Sequence, residues 1–113
     1  MIRKLLLAAA ITLVAGAAYA DDIEGKWKTQ SGANATISGC GGSFCIKLTS
    51  GEHAGKQIGK MKASGGGKYA GEITDPADDK TYSGKATLSG ATLRMKGCVL
   101  GGLICKSQTW KKL

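Results

Sequence analysis

The chain has 113 residues, a formal net charge of +8, 42% hydrophobic and 5% aromatic residues, and 18 Gly against one Pro. That length provides one modest core, and four Cys is an even number that fits two staples rather than a reactive thiol. The basic residues are dispersed lysines with Arg3 and Arg94 as the two arginines, and no ladder of aromatic and basic residues accompanies them, which argues against a nucleic-acid partner.

Residues 1–20 read as a secretory signal peptide. Arg3 and Lys4 form the basic start, Leu5 to Ala15 the apolar run, and Ala18-Tyr19-Ala20 the small-residue cleavage site, with Asp21 and Asp22 after it. The apolar run is short of the roughly 20 residues a spanning helix needs, and no later stretch is long and apolar enough to span. Cleavage after Ala20 leaves a single domain, residues 21–113, of 93 residues. Arg3 and Lys4 account for two of the positive charges, leaving +6, which suits either an anionic partner or a solvated surface that resists edge aggregation. Export places the mature chain in an oxidising compartment as an expectation.

The mature part alternates with a period of two. Trp27 stands between Lys26 and Lys28. Ala33, Ala35 and Ile37 then alternate with polar residues, as do Phe44, Ile46 and Leu48, and then Gly59, Met61 and Ala63. The pattern continues through Tyr69, Gly71 and Ile73, through Tyr82, Gly84, Ala86 and Leu88, and through Leu93, Met95 and Gly97. The last segment, Lys106 to Lys112, is polar and β-rich around Trp110, with a phase that the alternation leaves open. Turn signals separate the segments: Gln30-Ser31-Gly32, Gly41-Gly42-Ser43, Ser50-Gly51-Glu52, Ser64 to Gly67, Asp75 to Asp79, Ser89-Gly90 and Gly101-Gly102. About eight strands with short loops predict an all-β, antiparallel up-and-down barrel, which also removes its own edges. The inward positions are rich in Gly and Ala, a composition compatible with a narrow packed barrel or with a small cavity.

Cys40 and Cys45 flank the second turn, and Cys98 and Cys105 flank the seventh. In an up-and-down meander these turns lie at opposite ends, too far apart for crossed bridges. Two hairpin disulfides, Cys40–Cys45 and Cys98–Cys105, therefore follow. Neither pair has the Cys-x-x-Cys spacing of a redox centre. Their spacing and the single His53 do not make a zinc site.

Asp75-Pro76-Ala77-Asp78-Asp79-Lys80 reads as a turn, with Pro76 at its second position and Asp75 bonding its own backbone. It lacks the alternating acidic pattern of a calcium loop. His53, beside Glu52, reads as a loop residue. No nucleophile, base and oxyanion constellation is present in the sequence, so no enzyme activity, catalytic residue, metal or cofactor is expected. Trp27 and Trp110 fall on the first and last strands, which are neighbours in a closed barrel. Core packing is their default role, and with Tyr69, Tyr82 and Met95 they are the candidate ligand-contacting residues.

Gly25-x-Trp27 with a basic last strand is similar to the opening of the lipocalin superfamily. Three further segments narrow the resemblance: Cys40-Gly-Gly-Ser-Phe-Cys45, Asp75-Pro76-x-x-x-Lys80-Thr81-Tyr82, and Gly97-Cys98-Val99-Leu100-Gly101-Gly102 with Ser107-Gln108-Thr109-Trp110. Together they resemble a family of small exported bacterial proteins, domain of unknown function 2147, over nearly all of the mature chain. The resemblance implies a lipocalin-like barrel in the periplasm and no particular activity. The chain differs from the usual pattern at Thr74, where an aromatic is common, and at Asp79, where Gly is common.

Two functions follow as expectations. One is a binding module for a small, mostly apolar ligand inside the barrel. The other is an interaction or inhibitor protein of the cell envelope acting through its loops, with the apolar Val99 to Ile104 tip as its contact or as a lid over the barrel mouth.

Overall fold

The computed structural model describes residues 22–113, and the predicted signal peptide, residues 1–20, lies outside the described residues. The strands run β1 (Gly25–Lys28), β2 (Asn34–Cys40), β3 (Ser43–Leu48), β4 (Gln57–Gly65), β5 (Lys68–Asp75), β6 (Lys80–Ser89), β7 (Thr92–Val99) and β8 (Ile104–Lys112). A short 3-10 turn at Leu100–Gly102 joins the last two. Each strand pairs antiparallel with the next, and β8 returns to β1, so the meander closes into the expected barrel.

The period of two explains the wall. Ala35, Ile37, Ile46, Leu48, Met61, Tyr69, Ala86, Leu93, Met95 and Trp110 point inward and are buried. Lys47, Lys60, Lys62, Glu72, Lys85 and Lys96 alternate with them and are exposed on the outside. One departure matters for the interior. The β3–β4 register shifts where Ile46 pairs with Gly59 and Lys47 with Gln57, which leaves Ile58 unpaired. This bulge turns Ile58 inward beside Gly59, and both are buried. Ala63, in phase with Met61, is exposed near the second shift between Ala63 and Gly65.

The two cystines sit at opposite ends, as the topology requires. Cys40 and Cys45 bridge the turn Gly41-Gly42, whose φ values of 65° and 86° make the two-residue hairpin loop that glycine favours. Cys98 and Cys105 are direct cross-strand partners with Cα atoms 4.1 Å apart.

The end that carries Cys40–Cys45 is plugged by the chain preceding β1. Ile23 is fully buried there, a contribution of about 1.5–3 kcal/mol for a large aliphatic side chain. The Trp27 Nε1–H donates to Ile23 O at 2.9 Å. Lys112 Nζ donates to the carbonyls of Asp22 and Glu24 at 2.7 and 2.8 Å, and lies 5.0 Å from the Trp27 ring centre. Gly39 N donates to Glu24 Oε1 at 3.1 Å.

The opposite end is looser. β1 has four residues and pairs with β8 only at Trp27↔Lys112 and Lys28↔Lys111. Past that seam the β1–β2 turn replaces the strand, and the Gln30 side chain, through Oε1, accepts from Thr109 N at 2.9 Å.

A row of glycines crosses the sheet between the ends. Register places Met61, Gly71, Gly84, Gly97 and Lys106 side by side on five successive strands. The missing side chains are replaced by neighbours. A Cβ at Gly84 would meet Ile73 Cγ1 at 2.7 Å, and one at Gly97 would meet Tyr82 Cβ at 3.1 Å. The glycine-rich inner face is thus filled at this level by Ile73 and Tyr82, and the free space lies beyond it, toward the loose end.

Candidate functional site

A cavity of about 310 Å³ opens at the end bearing Cys98–Cys105. Its size is at the small end of ligand pockets, roughly 300–1,000 Å³. Leu48, Ile58, Ile73, Met95 and Trp110 supply an apolar floor and walls. The rim comes from this end of the barrel: Thr29 and Ser31 from the β1–β2 turn, His53 from the β3–β4 loop, Thr74 and Asp75 from the end of β5, and Pro76 and Ala77 from the β5–β6 loop. Gly97, Lys106 and Gln108 complete the side formed by β7 and β8, and Tyr82 crosses it from β6.

The sequence candidates divide between this cavity and the core. Tyr82, Met95 and Trp110 are on the cavity wall. Trp27 is fully buried under the plugged end, and Tyr69 is buried edge-on to Phe44, with ring centres 5.7 Å apart. Neither Trp27 nor Tyr69 lines the cavity. The two tryptophans therefore serve different ends of one barrel.

Ile58, Lys106 and Gln108 are among the wall residues with no counterpart among the sequence candidates. Ile58 enters through the bulge, which alternation does not reveal. Lys106 and Gln108 enter because β8 is in phase with Trp110: Leu93 pairs with Trp110, Met95 with Gln108, and Gly97 with Lys106. A polar strand gives no apolar stripe from which to read that phase. His53 is partly buried at the rim rather than free in solvent.

The polar groups on the wall are positioned by specific contacts. The Trp110 Nε1–H donates to Gln108 Oε1 at 2.9 Å. An indole N–H can only donate, so this contact fixes the Gln108 amide with its NH₂ group turned away from Trp110. Thr29 and Ser31 hydroxyls bond each other at 3.1 Å. Lys106 Nζ and Lys80 Nζ each lie 5.9 Å from the centre of the Tyr82 ring, the outer reach of a cation–π contact.

The β5–β6 loop is the turn the sequence predicts. Asp75 Oδ1 accepts from Ala77 N at 2.9 Å, and Asp79 N donates to Asp75 O at 2.8 Å. Asp79 has φ of 58°, the left-handed conformation that explains why glycine suits this position. Its carboxylate forms an ion pair with Lys56, tying this loop to the β3–β4 loop across the rim. Among the described residues no group of three or more His, Cys, Asp or Glu converges as a metal site.

Neither the curated proteins nor the solved structures contain a match to this chain. A family profile does match, over residues 53–112, from the β3–β4 loop through the end of β8. That span includes β4 to β8, the second cystine and most of the cavity wall. With more than half of its length matched, the chain belongs to the bacterial family DUF2147, described as an uncharacterized protein conserved in bacteria.

Proposed function

We propose that this protein is an exported, periplasmic binding module that holds a small, mostly apolar ligand in the cavity at the loose end of the barrel. The observation that carries the reading is the cavity itself, with an apolar floor of Leu48, Ile58, Ile73, Met95 and Trp110 inside a wall that is otherwise filled. Small-ligand sites of this kind sit in barrel mouths, apolar with few convergent polar groups. The location draws support from the bacterial family, the two cystines and the leader-like residues 1–20. The protein acts without catalysing a reaction, with no cofactor and no nucleic acid.

Native mass spectrometry of the protein purified from its own periplasm tests this. A mass above that of the disulfide-bonded chain, lost on denaturation, is the expected result. A clean unliganded mass, together with no binding by any small apolar compound, overturns it.

A second reading, an envelope-interaction protein, is favoured by the β7–β8 tip, where Leu103 is 85% exposed and Ile104 51%. Leu103→Asp discriminates the two. It abolishes an envelope complex if the tip is the contact, and leaves ligand binding unchanged if the cavity is the working site.

A further inference from the structure

β8 presents three polar inward-phase positions of different character, and their contrast identifies what the cavity accepts. Lys112, at the plugged end, has its ammonium satisfied by two backbone carbonyls and the face of Trp27. Lys106, six residues earlier at the cavity, has the face of Tyr82 but no hydrogen-bond acceptor and no carboxylate among the described residues. Between them Gln108 has its oxygen occupied by Trp110, so its NH₂ is the group left to bond. Two donors two residues apart on one strand thus face the same cavity with no acceptor supplied by the protein.

The charged side chains of the wall, His53 aside, are one of each sign. Asp75 is the carboxylate on the wall among the described residues. It accepts from Ala77 N and is the cross-strand partner of Lys80. Lys106 has no carboxylate within ion-pair distance among the described residues. Tyr82 reaches Lys106 because Gly97, its diagonal neighbour on β7, leaves room for the ring.

Resting on the reading of the cavity as a ligand site, we propose that its occupant is a small single-chain amphiphile with an anionic head. The apolar chain lies against Met95, Trp110 and Ile58, and the head takes its hydrogen bonds from Lys106 Nζ and the Gln108 amide. The head is a carboxylate or an equivalent oxyanion, because an ammonium and an amide NH₂ can only donate and a charged donor bonds an anionic oxygen most strongly.

The test is a titration of the disulfide-bonded protein, labelled on its methionine methyl groups, with octanoate and with octanol. Met95 lines the cavity and Met61 lies in the packed core, so a ligand in this site shifts Met95 and leaves Met61 in place. Octanoate is expected to bind at least about fivefold more tightly than octanol, and Lys106→Met to remove about that factor, as for an exposed charge pair, while octanol binding is retained. Added salt weakens octanoate alone. Equal affinity for the two ligands, or octanoate binding unchanged in Lys106→Met, overturns the anionic head and leaves the apolar cavity standing. No Met95 shift with either ligand overturns both readings.

Discussion

Gln30 and Thr109, 79 residues apart in the chain, meet where the β1–β8 ladder stops, the glutamine oxygen accepting the threonine amide N–H at 2.9 Å. This one side chain continues a seam that has only two residue pairs. Gln30→Ala hands the Thr109 amide to water at a cost of about 0.5–1.5 kcal/mol. The expected outcome is amide exchange at Thr109 about tenfold faster, with the β5–β6 amides unchanged. Uniform acceleration across the barrel would show that the seam does not open separately.

Gly71 is the least replaceable position of the glycine row. A Cβ there would lie 2.0 Å from the Lys60 carbonyl oxygen and 2.8 Å from Met61 Cα, and backbone cannot rotate out of the way as a side chain does. Gly71→Ala is expected to cost about 3 kcal/mol or more, read as loss of the folded fraction or a large fall in Tm. Gly39→Ala is the control. The nearest group to its Cβ is Glu24 Oε1 at 3.8 Å, and its stability should stay within about 0.5 kcal/mol.

Asp79 combines a left-handed backbone with an ion pair to Lys56. Asp79→Ala and Asp79→Gly both remove the ion pair, so their difference reports the backbone alone. The alanine variant is expected to be about 1 kcal/mol less stable than the glycine variant in urea unfolding. Equal stabilities would mean the loop relaxes out of the left-handed conformation.

The two cystines close loops of six and eight residues, and replacing either pair with alanines should cost about 2–2.5 kcal/mol in the chain-entropy account. Because the bridges lie at opposite ends with no shared partner, the double removal should be close to the sum. Calorimetry on the three variants checks this. A double loss well above the sum would reveal coupling through the barrel.

The barrel was legible because water imposes a strict period of two on a sheet with one wet face. Each of the seven segments from Trp27 to Gly97 shows that period, and glycine-marked turns set their antiparallel order. The cystine pairing followed from the same meander. The cavity was less legible, for two physical reasons. The bulge at Ile58 inserts a residue that breaks the phase, and β8 faces its own opening with Lys106 and Gln108 rather than apolar side chains. Ile23 also escaped notice, since one isoleucine between Asp22 and Glu24 shows no periodicity, yet it closes an entire end. The rich glycine content left packed and hollow interiors equally open. Resolving that required knowing that Ile73 and Tyr82 lean over Gly84 and Gly97.

The spacing of the cysteines has a consequence for how the chain acquires its cross-links. Partners stand five and seven positions apart, while the nearest wrong partners, Cys45 and Cys98, are separated by 53. As the polypeptide emerges amino end first, the first bridge can be sealed before any competing thiol has appeared. Order of arrival then favours the native pairing over the crossed ones.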